Sequence, residues 1–294
     1  MHFYKNGNYV VCIMDDGTKI RKTDEKAFIP SFAECTDVKI TNKCCQFCNF
    51  CYEGCTSNGK HGDLLKYKFL DTLHPYTEMA LNGNDMDHPQ LIEFLKLLKS
   101  KKVFANITVH QNQFMQNLEL IGDLTDLKLI NGLGVSYSKY DENFINELKR
   151  FPNSVIHTIN GIIKVSDLEK IKGNNFKILI LGYKNIRRGS EYLTHYNKTI
   201  ASNQEHLYNA LPNIIKEEWF NVVSFDNLAI SQLDVKRLMP EDKWGEFYMG
   251  DDGNYTFYIN LVDGTFAKNS LCETTYPIED KTMDEMFTII RNNK

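Results

Sequence analysis

The sequence has no long hydrophobic run. Within its 294 residues no apolar stretch approaches the roughly 18 residues that span a bilayer as a helix. The segment that begins at Met1 also lacks the apolar region of a secretory signal peptide. We therefore expect a cytoplasmic protein that does not enter a membrane.

A strong charge of one sign is lacking as well. The 34 basic and 38 acidic residues are interspersed and give a net charge of −4, so the composition offers no basic surface for a nucleic-acid polymer. The hydrophobic content of 42% supports a sizeable core. The length fits one large α/β domain with extensions, or two small domains.

Cysteine is plentiful and clustered. Five of the eight cysteines lie in residues 44–55, which favours metal binding in a reducing compartment over disulfides. Cys44, Cys48 and Cys51 follow the spacing C-x3-C-x2-C and supply three thiolates with no evident fourth. Thiolate is the ligand that iron–sulfur clusters select. A [4Fe–4S] cube on three thiolates keeps one iron open to another ligand.

Two further cysteines allow other interpretations of this segment. Counted from Cys45 to Cys55, the spacing C-x2-C-x2-C-x3-C is that of bacterial ferredoxins. Thr56 stands where a ferredoxin usually has proline, and the sequence has no second run of cysteines with this spacing. A four-thiolate zinc site is also possible, although two separated pairs of ligands are its commoner pattern.

Short apolar segments alternate with amphipathic ones along most of the chain, which predicts parallel strands joined by right-handed helical crossovers. Ligands of such sheets collect at the carboxyl ends of the strands, where the cysteines also fall. The predicted strands of this sheet are residues 37–41, 78–81, 105–109, 132–136, 155–159, 177–181 and 220–225. Hairpins are predicted at 9–14 with 18–21 and at 255–262 with 264–267. Residues 187–190 are predicted to form a loop, and residues 203–218 a helix.

The cysteine spacing, with Phe50 just before the last cysteine, resembles the motif of the radical SAM superfamily. The resemblance covers residues 36–185 and implies an α/β fold, a partial (β/α)6 TIM-like barrel with an N-terminal β-hairpin and a C-terminal β-hairpin extension. The implied boundaries are 1–30 for the N-terminal hairpin, 31–235 for the core barrel and 236–294 for the C-terminal extension.

The same resemblance implies two cofactors, a [4Fe–4S] cluster on Cys44, Cys48 and Cys51, and S-adenosylmethionine (SAM). The resemblance further implies that SAM chelates the open iron through its amino and carboxylate groups, and that one electron then cleaves SAM to methionine and a 5'-deoxyadenosyl radical. An external one-electron donor such as flavodoxin or ferredoxin is an implied partner.

Further cofactor-binding residues follow from the family's strand ends. The Gly-Gly-Glu-Pro segment after the second strand aligns with residues 82–85, so Asn82, Gly83 and Asn84 are implied contacts to the methionine end of SAM. Asn84 replaces the carboxylate, and its amide oxygen can accept from an ammonium without an ion pair. The other implied cofactor contacts are Phe50, Ser136, Asn160, Gly161 and Leu181. A simple turn or strand-end packing is the alternative at each position.

Candidate substrate residues are His110, Gln111 and Asp226, which follow predicted strands at the barrel mouth. His110 could equally be a hydrogen-bonded structural histidine. Cys272, the one cysteine of the C-terminal hairpin, is a candidate catalytic hydrogen-atom donor to a substrate radical. Packing as a buried apolar cysteine is its alternative role.

The C-terminal hairpin resembles the start of a truncated SPASM or Twitch extension, so the first expected substrate is a peptide or protein side chain. A small molecule or nucleotide is the second. A non-catalytic iron–sulfur electron-transfer protein is the third interpretation. The single cysteine in the hairpin argues against an auxiliary cluster.

Overall fold

The computed structural model describes residues 1–82 and 86–293. They form two β-sheets, with helices packed on the larger one. The strands are β1 His2–Asn6, β2 Tyr9–Ile13, β3 Lys19–Lys22, β4 Cys35–Lys39, β5 Glu78–Asn82, β6 Phe104–His110, β7 Gly132–Ser136, β8 Ser154–Ile159, β9 Lys177–Leu181, β10 Val222–Phe225, β11 Thr256–Asn260, β12 Thr265–Ala267 and β13 Tyr276–Pro277. The helices are α1 Leu91–Ser100, α2 Gln111–Gln116, α3 Leu118–Asp126, α4 Glu142–Leu148, α5 Val165–Glu169, α6 Arg188–Lys216, α7 Asn227–Gln232, α8 Glu241–Phe247 and α9 Met283–Asn292.

The larger sheet has ten strands in the order β10-β9-β8-β7-β6-β5-β4-β11-β12-β13. Strands β4 to β10 are parallel, β11 pairs in parallel with β4, and β12 and β13 add an antiparallel edge. The predicted α/β class with a large, mostly parallel sheet is therefore confirmed. A barrel is not confirmed, because no strand pairing among the described residues joins β10 to β13. Each predicted strand lies within two residues of an observed one at either end.

The two faces of this sheet differ in polarity, because successive side chains of a strand point to opposite sides. In β5, Met79 and Leu81 are buried in the main core, whereas Glu78, Ala80 and Asn82 are partly exposed. Buried residues of α1, such as Phe94, pack in the same core. Helices thus cover one face, and the other is open to solvent and carries most of the polar residues.

Contacts between residues near the two edges of the larger sheet show that this sheet is strongly curved, with a gap between its edges. Asp252 accepts hydrogen bonds from Asn227, which follows β10, at 2.6 Å and from Asn269, which follows β12, at 2.7 Å. Lys184, after β9, donates to the Ser270 hydroxyl at 2.9 Å. In a flat sheet, β10 and β12 would lie roughly 40 Å apart, since neighbouring strands are about 4.8 Å apart. The open face is therefore concave, and side chains rather than strands join its two edges.

The small sheet β1-β2-β3 lies under the amino ends of the parallel strands, opposite the cysteines. Glu34, just before β4, is fully buried and accepts two hydrogen bonds from Arg21 at 2.8 Å each and one from Tyr9 at 2.6 Å. Lys19 pairs with Glu78 of β5 at 2.5 Å. The predicted hairpin is present as β2 and β3, and β1 is an additional strand that pairs with β2.

The predicted loop at 187–190 is wrong, because α6 begins at Arg188 and the predicted helix at 203–218 is its second half. Arg-Arg-Gly-Ser is a poor helical start by local preference. Packing on the cysteine segment decides otherwise: Arg188 donates to the Cys55 carbonyl at 2.6 Å, and a Cβ on Gly189 would lie 3.6 Å from the Phe50 carbonyl oxygen. The boundaries at residues 30 and 235 stay predictions. None of the helices within the described ranges is long and apolar enough to cross a membrane.

Candidate functional site

The segment after β4, residues 42–62, carries the clustered cysteines and is termed the cysteine loop. It begins at the carboxyl end of β4, as predicted, and folds back on itself. Asn42 donates its amide to the Lys60 carbonyl at 2.8 Å, and Cys44 donates to Thr56 at 2.9 Å. Because these bonds join the two arms of the loop, the cysteines are held at the mouth of the concave face.

The thiols of the three motif cysteines influence one another electrostatically. The Cys51 amide donates to the Cys48 carbonyl at 3.1 Å, and none of the eight cysteines, all within the described residues, is in a disulfide. Burial raises the pKa of the Cys48 thiol, and the nearby Cys51 and Cys44 sulfurs raise it further. The three sulfurs are thus close enough to interact. No set of three or more His, Cys, Asp or Glu side chains in residues 1–82 and 86–293 has metal-site geometry.

The donor set nevertheless fits an iron–sulfur cluster chemically. Three thiols from one loop interact electrostatically at the end of a parallel strand, and thiolate is the ligand that such clusters select. Cys45 is exposed, and Cys55 is buried with its sulfur 3.9 Å from the Thr41 carbonyl oxygen. Cys55 is buried, as expected of a packing residue, and this role for Cys55 stays a prediction.

Cys51 has a distinct environment. A hydrogen bond from the Cys55 thiol is the main reason that the pKa of Cys51 falls to about 5, and the Arg188 guanidinium contributes while burial opposes the shift. Arg188 also donates to the Cys55 carbonyl at 2.6 Å. The third cysteine of the motif therefore lies against the amino-terminal turn of α6.

Aromatic and charged contacts hold the rest of the loop. Phe50 packs edge-on against Tyr192 of α6, with ring centroids 6.0 Å apart. Lys39 pairs with Glu53 at 2.6 Å, and Lys184 lies 4.0 Å from the centroid of the Tyr52 ring. Phe50 thus faces α6, and Tyr52 faces the curved sheet's opening.

A row of polar side chains crosses the concave face at the carboxyl ends of β6, β7 and β8. His110 is paired in register with Ser136, and Ser136 with His157, so the three lie side by side on one face. Burial lowers the pKa of His110, and lowers that of His157 to about 4. Both imidazoles are therefore neutral near pH 7 and can donate and accept hydrogen bonds.

His110 and Gln111 also have structural bonds. The His110 Nδ1 accepts from the Asn112 amide at 3.1 Å and caps α2. Gln111 is buried, and its Oε1 accepts from the Ser138 amide at 2.9 Å and the Lys139 amide at 3.2 Å. Gln111 thus fixes the loop after β7, whereas His110 remains partly exposed beside Ser136.

The predicted residues at the ends of β8 to β10 form a connected set. Asn160 is buried and donates its amide to the Leu181 carbonyl at 2.8 Å and its side chain to Gln232 at 3.1 Å. Asp226 accepts from the Gly182 and Ala229 amides at 2.8 and 2.7 Å and caps α7. Burial raises the pKa of Asp226, and these two bonds oppose the shift.

Gly161 has a backbone φ of +89°, which favours glycine. A Cβ there would lie 2.8 Å from Ile200 Cγ2 of α6, and the Gly161 carbonyl accepts from Asn203 at 3.0 Å. The missing side chain thus makes room for α6. Asn82 ends β5, and the predicted contacts Gly83 and Asn84 lie outside the described residues.

Sequence reasoning missed Asp37 and His157. Both stand on the concave face, among alternating buried residues of β4 and β8. The Asp37 side chain is exposed on this face, but the protein around it displaces part of its water, and this desolvation raises its pKa to about 6. The positive charge of Lys184 opposes the shift. The signal that could have found them is a polar residue at a position that alternates with the core positions of a predicted strand.

Cys272 lies beyond β12, near the contacts that bridge the sheet opening. Its thiol donates to the Asn269 side-chain oxygen at 3.3 Å. It lines a surface cleft with Tyr276 and Ile290. Its donor role stays a prediction.

Two solved structures of SuiB from Streptococcus suis resemble this chain. One, bound to S-adenosylmethionine, has a TM-score of 0.55 and 15% identity over 90% of this chain and 68% of its own. The other has a TM-score of 0.53 and 14% identity over 90% and 69%. No family model and no curated protein matches the sequence. The likeness is one of fold.

Proposed function

We propose that this protein is a radical SAM enzyme that abstracts a hydrogen atom from a peptide or protein side chain. The observation that carries the proposal is the position of the C-x3-C-x2-C loop at the carboxyl end of β4, at the mouth of a curved parallel sheet. The fold likeness to a protein whose structure contains S-adenosylmethionine supports it. Ligands of parallel sheets also bind at this end of the strands.

Cys44, Cys48 and Cys51 would hold the [4Fe–4S] cluster. When bound, the cluster supplies the electron that cleaves SAM to methionine and a 5'-deoxyadenosyl radical. The chain's part is to bind and orient. Asn82, Asn84 and the backbone near Leu181 are the proposed SAM contacts. Asn160 supports this end of the sheet through its bond to the Leu181 carbonyl.

The concave face is the proposed substrate site. His110, Ser136 and His157 offer a row of hydrogen-bonding groups that carry no charge near pH 7. Asp37 adds a carboxyl that is reachable from solvent on the same face. Such a surface suits a polar side chain of a peptide. It also suits a polar small molecule or nucleotide, so the substrate test must include both.

The test is an anaerobic incubation of cluster-loaded protein with SAM and a strong reductant, with 5'-deoxyadenosine and methionine measured by mass spectrometry. The expected result is slow formation of both without substrate. Cys51→Ala is the matched control and is expected to form neither. If the intact cluster accepts and returns electrons but SAM is not cleaved in the presence of any candidate substrate, the protein is instead an electron-transfer protein.

Substrate class is tested by adding deuterium-labelled peptides or nucleotides to the same reaction. Transfer of deuterium into 5'-deoxyadenosine identifies the compound that loses the hydrogen atom. The proposal expects transfer from a peptide. Transfer from a nucleotide alone would retain the radical SAM assignment and replace the substrate.

A further inference from the structure

Two consecutive arginines join α6 to the cysteine loop. Arg187 donates to the Tyr52 carbonyl at 2.9 Å and lies 3.9 Å from Glu53. Arg188 donates to the Cys55 carbonyl at 2.6 Å, and its positive charge lowers the pKa of the Cys51 thiol. The two side chains therefore hold residues 52–55, which follow the last motif cysteine, against the start of α6.

The backbone at this point has an uncommon conformation. Arg187 has φ +49° and ψ −130°, a combination that favours glycine. Gly189 packs so closely that a Cβ would meet the Lys184 carbonyl oxygen, and the Tyr183 hydroxyl donates to the Gly189 carbonyl at 2.6 Å. These contacts fix the direction in which both arginines leave the start of α6.

The two arginines differ in what they reach. Arg187 is about half exposed and contacts a carbonyl and a carboxylate. Arg188 is partly buried and donates to the carbonyl of Cys55, at the end of the segment that begins with Cys51. Its Nε is buried without a hydrogen-bond partner among the described residues, so one N–H remains available to an acceptor at the same place.

We propose that Arg188 is a positioning residue for Cys51. It fixes the Cys51–Cys55 segment through the Cys55 carbonyl, and it places a permanent positive charge beside this segment so that a cluster held there accepts an electron more easily. This inference rests on the proposed function.

The physical basis is the charge that reduction adds. A guanidinium stays protonated at any ordinary pH, and a nearby positive charge stabilises the more negative, reduced cluster. Hydrogen bonds to cluster sulfurs and local charge are established determinants of reduction potential. Arg188 brings such a charge to the segment that carries Cys51, whereas Arg187 is about half exposed and its charge lies beside the Glu53 carboxylate.

The first measurement is the midpoint potential of the cluster, followed by electron paramagnetic resonance during an anaerobic redox titration. Arg188→Gln removes the charge but keeps a side-chain donor, and its midpoint is expected to be more negative than that of the wild type. Arg188→Lys keeps the charge and is expected to restore most of the shift. Arg187→Gln is the matched control and is expected to stay near the wild-type value.

The second measurement uses the cluster-free protein and tests the positioning part separately. Hydrogen exchange of the Gly54 and Thr56 amides, whose bonds close this segment, is expected to be about tenfold faster in Arg188→Gln, because the shorter glutamine can offer the Cys55 carbonyl only a neutral, weaker hydrogen bond than the charged guanidinium. A wild-type midpoint together with unchanged exchange in Arg188→Gln would overturn the inference. If the wild type binds no cluster, the proposed function fails, while faster exchange would still support positioning.

Discussion

Lys39, the last residue of β4, forms a 2.6 Å ion pair with Glu53, two residues after the last motif cysteine. The Lys39 side chain is 3% exposed and that of Glu53 is 12% exposed. The pair therefore joins the end of the sheet to the cysteine loop away from bulk water. Removing one partner of such a pair is costly, because the other charge stays buried.

Lys39→Met is expected to lower the free energy of unfolding by about 3 kcal/mol. The double variant Lys39→Met with Glu53→Leu is expected to recover much of the loss, since no unpaired charge remains. Urea denaturation of cluster-free protein measures both. A loss below about 0.5 kcal/mol in the single variant, the size of an exposed pair, would show that the pair is not structural.

Cluster assembly depends on three cysteines in our assignment. Reconstituted wild type, Cys45→Ala and Cys55→Ala are each expected to bind about four irons per chain, and Ala variants of Cys44, Cys48 or Cys51 are expected to lose the stable cluster. Iron analysis and absorption spectra measure this. About eight irons per chain, or loss of the cluster in Cys55→Ala, would contradict the assignment.

Gly161→Ala separates a packing role from a cofactor role. The added Cβ would press on Ile200 at a positive φ, so the variant is expected to lose about 1–3 kcal/mol of stability with unchanged SAM affinity. Gly122→Ala, in α3 with open space around it, is the control and is expected to gain about 0.5–1 kcal/mol. Weaker SAM binding at unchanged stability would instead assign Gly161 to the cofactor.

His157 is expected to make stability depend on pH. Burial lowers its folded-state pKa to about 4, against 6.5 as its ordinary value. Between these values the unfolded chain binds a proton that the folded protein does not. Stability is therefore lost as pH falls from about 6.5 to about 4, by at most about 3 kcal/mol. His157→Gln is expected to flatten this part of the profile, measured by urea denaturation at several pH values. If the wild type and His157→Gln lost stability equally as pH falls, this prediction would be contradicted.

Asp252 is expected to hold the two edges of the curved sheet together. Asp252→Ala removes the acceptor shared by Asn227 and Asn269, and about 2 kcal/mol of stability is expected to be lost. Hydrogen exchange should quicken after both β10 and β12. Asp251→Ala, which removes only a bond from the Tyr248 hydroxyl, is the matched control. Equal effects of the two substitutions would show that the bridge contributes nothing specific.

The local pattern of the sequence was enough to predict nine of the ten strands of the larger sheet, and it missed the two-residue strand β13. Two of the predicted strands, at 132–136 and 177–181, coincide with β7 and β9, because apolar runs bounded by turn residues are a local signal. The same reasoning placed the cysteines at the carboxyl end of β4. It failed at Arg188, where local preference favours a loop and packing against residues 50–55 produces a helix.

The sequence by itself determined the spacing of Cys44, Cys48 and Cys51 and the α/β class, because both depend on residues close together along the chain. The tertiary structure alone decided that Arg188 meets the Cys55 carbonyl, that His157 joins the row of His110 and Ser136, and that Asp252 bridges the sheet's edges. These contacts join segments far apart in sequence. Sheet curvature, strand register and helix packing create them, and no local pattern carries that information.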